Sequence, residues 1–160
     1  MILVTLGTHE LSFARLLNEI ERVRKAGFIH DEIIVQSGHT PFESDFLTIK
    51  PFIKFDEMEQ LVNKADLVIT HAGVGSIVSA VKKGKKVIAA ARLKKFNEHN
   101  DNHQLEIVEE FVNSGYILSW GENDDLSEVL KKAADFEPKR FVSGKKNIIN
   151  IITHFIEEKV

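Results

Sequence analysis

Short apolar runs alternate with longer amphipathic segments along the chain. Six of the runs are rich in β-branched residues and are bounded by polar residues or glycine, which predicts β-strands. These strands are expected at residues 2–6, 32–36, 51–55, 67–70, 87–91 and 116–119. The runs are continuously apolar rather than alternating, a pattern typical of a parallel sheet that is covered on both faces.

The segments between the runs carry apolar residues at a spacing of three and four, which predicts helices. These helices are expected at residues 11–26, 57–65, 75–83, 103–114, 126–134 and 145–157. The last helix would be amphipathic, with a broad face of Ile148, Ile149, Ile151, Ile152, Phe155 and Ile156. That face would dock on the chain's own sheet or contribute to an interface with a partner.

Strands that alternate with helices predict right-handed crossovers and helices on both faces of the sheet. A length of 160 residues is typical of one domain, and no repeat or linker interrupts the pattern. We therefore predict a single α/β, Rossmann-like domain over residues 1–160, with a mostly parallel sheet of six strands. In such sheets, ligands bind at the carboxyl ends of the strands.

The composition excludes several classes of function. The absence of cysteine excludes disulfide scaffolds, cysteine-ligated metal sites and cysteine nucleophiles. A count of 21 Lys and Arg against 24 Asp and Glu gives a net charge of −3, which argues against nucleic acid as a partner. The apolar start is too short for a signal peptide, and no run approaches the roughly 18–20 apolar residues of a membrane span. We expect a cytoplasmic protein.

Two glycine-containing turns follow predicted strands. Gly73-Val74-Gly75-Ser76 leads into a helix whose N-terminus would offer free N–H groups and the positive end of a dipole to an anion. Gly7 and Thr8 follow the first strand, and the Thr8 hydroxyl could bond a phosphate oxygen. A tight turn in which Ser76 caps the helix would explain the Gly73-Val74-Gly75-Ser76 segment equally well. Neither a complete dinucleotide fingerprint nor a P-loop is present, which argues against hydride transfer and ATP hydrolysis.

The segment 92–104, after the fifth strand, is unusually dense in hydrogen-bonding side chains. It contains two histidines, three asparagines and a glutamine beside Glu98 and Asp101. His99 and His103 are four residues apart, a spacing that could suit a metal on a helix, but the glutamate of the zinc-protease pattern does not follow His99. We expect this segment to bind a polar ligand and expect no metal site.

Three segments taken together resemble one protein family. They are residues 4–17 around Gly7-Thr8-His9-Glu10, residues 70–77, and Arg92 with residues 98–104. The chain resembles the C-terminal, donor-binding domain of family-28 glycosyltransferases of the MurG type over nearly its whole length. It is similar to stand-alone versions of that domain. One is the cytosolic subunit of the eukaryotic transferase that adds the second GlcNAc to dolichol-linked sugar, and others are bacterial exopolysaccharide subunits of the PssE or EpsF type.

The resemblance implies one half of a GT-B glycosyltransferase, a half that binds a UDP-sugar as its donor substrate, and we expect no cofactor. The residues that match the two turns at the donor phosphates are Gly7, Thr8, Gly73, Gly75 and Ser76. His103 and Gln104 match the pair that holds the donor sugar, and Arg92 and Glu98 lie in the connecting loop of the donor site. Ser79 stands where many relatives carry a glutamate for the ribose hydroxyls, so ribose binding is expected to be looser here.

Glycosyl transfer requires that the leaving UDP is neutralised and that the acceptor hydroxyl loses its proton. His9 lies at the end of the first strand, and an imidazole has a suitable ordinary pKa for a general base. His9 could equally orient a phosphate, while the base comes from the acceptor domain. No Asp-x-Asp pair is available for Mg²⁺, so we expect a metal-independent reaction.

A GT-B enzyme also needs an acceptor domain, for which this chain has no room. We expect a membrane-associated partner subunit to supply it and to bring the chain to a lipid-linked saccharide acceptor at the inner face of the membrane. The Gly7-Thr8-His9-Glu10 start favours the bacterial branch of the resemblance. The expected function is therefore the catalytic subunit of an inverting transferase for galactose, glucose or GlcNAc in exopolysaccharide or capsule synthesis. The alternative is a non-catalytic nucleotide-sugar-binding adaptor that stimulates a partner transferase.

Overall fold

The structure, a computed structural model, describes residues 1–142. Its strands form one sheet in the order β3-β2-β1-β4-β5-β6. The strands are β1 (Ile2–Thr5), β2 (Ile33–Gln36), β3 (Thr48–Lys50), β4 (Leu67–His71), β5 (Lys86–Ala90) and β6 (Leu118–Ser119). Every pairing between neighbouring strands is parallel. The prediction of an α/β, Rossmann-like domain with six strands is confirmed.

Five α-helices connect or follow these strands within residues 1–142. They are α1 (Ala14–Lys25), α2 (Phe55–Lys64), α3 (Val74–Lys82), α4 (His103–Asn113) and α5 (Leu126–Asp135), and a 3-10 turn covers Lys94–Phe96. The helix predicted for residues 145–157 lies outside the described residues. Within residues 1–142, no helix combines the length and the apolar character needed to cross a membrane.

The third strand differs from the prediction. The apolar run 51–55 was expected to form it, but the strand is Thr48–Lys50, which pairs with β2, and Phe55 instead begins α2. Pro51 has no N–H to donate to a neighbouring strand, which confines proline to strand ends and edges. Phe52 and Phe55 are correspondingly 56% and 78% exposed, so this apolar run lies at the surface.

The start of the first helix also differs, since α1 begins at Ala14 rather than at residue 11. The N–H of Phe13 donates to the hydroxyl of Thr40 at 2.9 Å, and the carbonyl of Leu11 accepts from Arg92 at 2.6 Å. These main-chain groups make their hydrogen bonds to distant residues rather than within a helix. Residues 11–13 therefore belong to the turn after β1.

A hydrophobic cluster lies on each face of the sheet. Neighbouring residues of a strand point to opposite faces. Val4 accordingly packs with Leu16 of α1 and Leu126 at the start of α5, whereas Leu3 packs with Ile77 of α3 and Phe111 of α4. The sheet is thus covered on both sides, as its continuously apolar strands predict.

The topology fixes where a ligand can bind. From β1 the chain proceeds outward to β2 and β3, and then returns to β4 on the other side of β1. The switch point therefore lies between β1 and β4, and the crevice at the carboxyl ends of these strands is the usual ligand site of such sheets. The hydroxyls of Thr5 and Thr70, at the ends of β1 and β4, lie 2.8 Å apart and join the two strands at this edge.

Candidate functional site

The ring of His71, the last residue of β4, fills the space between the two glycine-containing turns. A Cβ atom on Gly7 would lie 2.6 Å from both Cε1 and Nε2 of that ring, and a Cβ atom on Gly73 would come closer still to Nε2. Gly7 also has a φ of +71°, a conformation that disfavours other residues. Both glycines are therefore required by the imidazole that they enclose, and not only by an approaching ligand.

Burial keeps His71 neutral. Its Nδ1 lies 3.4 Å from the carbonyl oxygen of Thr5, and loss of solvent lowers its pKa to about 4. The contact with the Thr5 carbonyl opposes this effect, and Arg92, His9 and His99 lower the pKa further, because a positive charge on any of them would disfavour protonation of the ring. We assign the proton to Nδ1, which faces the carbonyl, so that Nε2 faces Gly73 as an acceptor.

The second turn is the N-terminus of α3. Gly73 is the N-cap, so Gly75 and Ser76 lie within the first turn of the helix and Ser76 does not cap it, contrary to one of the two expectations. The first N–H groups of a helix have no partner within it and carry the positive end of its dipole. A Cβ atom on Gly75 would meet no atom within 4 Å, so a ligand has open access to the main chain there.

His9 follows the first strand and stacks on another histidine. Its ring centroid is 4.7 Å from that of His99, and its Nδ1 accepts from the N–H of Leu11 at 3.1 Å. Its pKa is lowered, first by burial and then by the charge of His99. A neutral His9 with an accepting Nδ1 carries its proton on Nε2, so it offers a hydrogen-bond donor there. This tautomer suits the orientation of a phosphate better than it suits a general base.

Arg92 and Glu98 lie inside the protein. They are 1% and 3% exposed, so neither side chain is accessible from the open edge. The guanidinium of Arg92 donates to main-chain carbonyls, and the carboxylate of Glu98 pairs with Arg15, with N–O distances of 2.8 and 3.0 Å. Burial lowers the pKa of Arg92 to about 10, which leaves it charged at neutral pH.

The expected sugar-binding pair, His103 and Gln104, begins α4. The N–H of His103 donates to Oδ1 of Asp101 at 3.0 Å, which satisfies one free donor of the helix N-terminus. Gln104 is 9% exposed, and its Oε1 accepts from the N–H of Arg92 at 2.9 Å. Gln104 is thus fixed by the loop, while His103, beside it, is more accessible.

Thr8 and Ser79 occupy different surroundings. Thr8 is exposed on the turn after β1, where its hydroxyl is accessible. Ser79 lies three residues after Ser76 on α3, so both hydroxyls share one face of that helix. The two serines can therefore act on one ligand that lies along the start of the helix.

Two residues of this region are not singled out by the sequence. Arg15 in α1 pairs with Glu98, and its guanidinium carbon lies 4.8 and 5.0 Å from the ring centroids of Trp120 and Phe96. Thr40, which is 3% exposed, holds the N–H of Phe13. Arg15 occupies an ordinary polar position of an amphipathic helix and Thr40 an ordinary polar loop, so only their tertiary contacts distinguish them.

Two cavities flank Arg15 and Trp120 on the side of the edge nearest β6. Their volumes are about 910 and 460 Å³, and their shared walls include Arg15, Trp120 and Glu122. The helix start at Gly73 does not line either cavity. Thr8 and Gly75 are exposed, and a Cβ atom on Gly75 would meet no atom within 4 Å, so the glycine-containing turns form an open edge. Within residues 1–142, no three His, Asp or Glu side chains are grouped so as to hold a metal ion.

Solved structures with the same architecture are glycosyltransferases. MurG from Acinetobacter baumannii superposes with a TM-score of 0.56 at 20% identity, over 82% of this chain and 40% of MurG. The glycosyltransferase of kitacinnamycin gives 0.59 at 16% identity, over 83% and 34% of the two chains. A solution structure of ALG13 gives 0.57 at 20% identity, over 91% of each chain. The fold is that of one half of a GT-B glycosyltransferase.

The family follows from the sequence match. The model of the glycosyltransferase family 28 C-terminal domain matches residues 1–158, and the chain belongs to this family. Its relatives include the UDP-N-acetylglucosamine transferase subunit ALG13 of Homo sapiens, 29% identical over 73% of this chain and 11% of the human protein. ALG13 of Yarrowia lipolytica is 34% identical over 71% of this chain and 56% of its own length. The chain thus spans about a tenth of the human relative and about half of the yeast one.

These relatives confirm the resemblance but correct the expected role. The assignment to exopolysaccharide or capsule synthesis is wrong, because the relatives are UDP-N-acetylglucosamine transferase subunits. The four-residue start Gly7-Thr8-His9-Glu10 was too short a signal to separate branches of one family. The alternative of a non-catalytic adaptor is not favoured either, because the relatives are named as subunits of the transferase itself.

The contacts of the two glycines of the second turn predict opposite effects on stability. Gly73→Ala drives a methyl group into the ring of His71 and is expected to lower the free energy of unfolding by about 1–3 kcal/mol, as overpacking does. Gly75→Ala meets no atom and favours the helix, so it is expected to raise that free energy by up to about 1 kcal/mol. Urea unfolding followed by circular dichroism measures both, and equal effects would contradict this account.

The buried imidazole predicts that the fold loses stability in mild acid. Between pH 6.5 and the folded pKa of about 4, the unfolded chain binds a proton at His71 and the folded chain does not. Stability should therefore fall as the pH is lowered through this window, by up to about 3 kcal/mol. Unfolding free energies measured from pH 7.5 to pH 4.5 test this. His71→Asn should make the profile shallower, with a smaller slope left by His9, whose pKa is also lowered, and the exposed His39→Asn should not; a parallel loss in all three proteins would refute the assignment to His71.

Proposed function

We propose that this chain is the UDP-GlcNAc-binding subunit of a two-chain N-acetylglucosaminyltransferase. The observation that carries the proposal is the open edge at the switch point, where the free N-terminus of α3 and the turn after β1 enclose His71. Such an edge binds an anion, and the leaving group of a UDP-sugar is a diphosphate. The relatives named as UDP-N-acetylglucosamine transferase subunits favour GlcNAc as the sugar.

The edge can stabilise the charge that develops when the bond between sugar and phosphate breaks. We infer that the N–H groups of Val74, Gly75 and Ser76 and the positive end of α3 face the diphosphate oxygens. The Nε2–H of His9 and the hydroxyl of Thr8 add donors from the other turn. These groups are in place before the reaction, so no proton transfer is needed to neutralise the leaving UDP.

The remaining contacts follow from the same placement. Ser76 and Ser79 lie along one face of α3, where they can bond the ribose, and His103 lies at the start of α4, where it can bond the sugar. Gln104 positions that loop through its bond to Arg92. Because the Nδ1 of His9 is engaged by a main-chain N–H, we infer that the general base comes from the acceptor domain.

We propose that this acceptor domain belongs to a second polypeptide. The relatives are named as transferase subunits, which supports a partner chain. The family resemblance further suggests a membrane-associated partner, a lipid-linked acceptor at the cytoplasmic face and inversion to a β-linkage. The anomeric proton coupling of the product would test the last of these.

Binding of UDP compounds tests the proposal directly. Calorimetry on the full chain should give binding of UDP and UDP-GlcNAc, weaker binding of UDP-galactose, and no comparable binding of ADP or GDP. Gly75→Ala should remain folded and weaken UDP binding, because its methyl group obstructs the free N-terminus of α3. Lys82→Ala, at the other end of the same helix, is the matched control and should bind as the wild type does. A chain that binds the three diphosphates alike, with and without its co-purifying partner, would refute the proposal.

We also propose that the reaction needs no metal, because helix N–H groups and histidine can take its place at the diphosphate. Activity of the assembled transferase should be unchanged in EDTA and should not rise when Mg²⁺ or Mn²⁺ is added. Loss of activity in EDTA with recovery on adding either ion would contradict this part of the proposal, and leave UDP binding itself untouched.

A further inference from the structure

Arg92 lies beneath the turn that follows β1 and is bonded to both ends of it. Its guanidinium donates to the carbonyl of Leu6 at 2.7 Å and to that of Leu11 at 2.6 Å. These two carbonyls bracket residues 7–10, the turn that contains Gly7. The planar fork of an arginine can reach two separated acceptors in fixed directions, whereas a lysine offers one nitrogen. The shape of the turn therefore depends on this guanidinium.

Arg92 is also the first residue of the loop that leads to α4. Its main-chain N–H donates to Oε1 of Gln104 at 2.9 Å, and its guanidinium donates to the carbonyl of Glu98 at 3.2 Å. One residue thus holds the turn with its side chain and the loop with both its side chain and its main chain. A displacement of the turn must be transmitted to the start of α4.

Glu98 and Arg15 extend this contact to α1. The Glu98 carboxylate accepts from Nε and Nη2 of Arg15 at 2.8 and 3.0 Å, and from the N–H of Leu93 at 3.0 Å. Arg15 also donates to the carbonyl of Ala91 at 3.0 Å. Because α1 directly follows the turn after β1, the loop is tied to that turn a second time by this buried ion pair.

We propose that Arg15, Glu98 and Arg92 are positioning residues that couple the two halves of the donor site. The inference rests on the proposed function, in which the turn at residues 7–10 holds the diphosphate and the start of α4 holds the sugar. A diphosphate that orders the turn also orders the loop through this network. The sugar then binds to a loop that is already ordered, so its binding loses less conformational entropy. The two parts of the donor therefore bind cooperatively.

The coupling can be measured with three ligands. UMP, UDP and UDP-GlcNAc are titrated by calorimetry into the full chain and into its complex with any co-purifying partner. The test variant combines Arg15→Met with Glu98→Gln, which removes both charges of the pair together; Arg92 loses the nearby carboxylate but keeps its hydrogen bonds to main-chain carbonyls. We expect the gain in affinity from UDP to UDP-GlcNAc to fall by about tenfold, within the usual range for coupled sites, with the affinity for UMP unchanged.

Two further variants separate coupling from a general loss of structure. Glu21→Gln combined with Lys25→Met makes the same charge changes at a surface ion pair of α1 and should alter none of the three affinities. Arg92→Lys keeps the charge but loses the fork, and it should weaken UDP relative to UMP. If the double variant at positions 15 and 98 does not fold, Arg15→Lys keeps the charge without the bidentate pair and carries the same expectation.

The outcomes are distinct. A network that is merely structural would lower the melting temperature and weaken all three ligands by one factor, which would overturn the coupling. The coupling would also be overturned if every folded variant kept the wild-type ratio of affinities for UDP-GlcNAc and UDP. If the wild type still bound UDP selectively, that result would leave the proposed function intact. Absence of UDP binding in the wild type would instead overturn the proposed function.

Discussion

The guanidinium of Arg92 is a full positive charge that is 1% exposed, and the functional edge of the sheet is arranged around it. A buried charge is costly unless its hydrogen-bonding groups are satisfied. Here Nη1 and Nη2 donate to main-chain carbonyls at Leu6, Leu11 and Glu98, supplied by two separate segments, while the buried Nε has no hydrogen-bond partner. If those segments moved apart, the buried guanidinium would lose its hydrogen bonds. The turn after β1 and the loop after β5 are therefore held in fixed relative positions.

The imidazole of His71 imposes a second constraint at the same edge. Its ring separates Gly7 from Gly73 at contact distance, and its burial keeps it neutral. A neutral ring between the two turns fixes their spacing without adding a buried charge to this edge. Together, the buried cation and the neutral ring leave the open side of the edge to groups such as the N-terminus of α3 and Nε2 of His9.

Much of the fold could be predicted from the chain because the signal is local. Residues 2–4 and 87–90, for example, are buried and continuously apolar, and the alternation of such runs with helical segments leaves few topologies. The prediction of a strand at residues 51–55 was wrong, because its apolar residues lie at the surface and Pro51 has no N–H to donate to a neighbouring strand. Hydrophobicity alone was a misleading signal for this segment. The predicted role in exopolysaccharide or capsule synthesis was also wrong, since the relatives are named as UDP-N-acetylglucosamine transferase subunits and a four-residue start is too short a signal to decide between such roles.

The sequence by itself determined the layered α/β fold, the edge of the sheet where the candidate site lies and the family, since all three depend on the order of local patterns and short motifs. Only the tertiary structure decided what each polar residue does there. Arg92 and Glu98 read as ligand contacts but turn inward, because the carbonyls and the guanidinium that satisfy them come from segments distant in the chain. Arg15 is distinguished for the same reason, since its partner Glu98 is distant in the chain. Such roles arise from packing between distant segments, which no local pattern encodes.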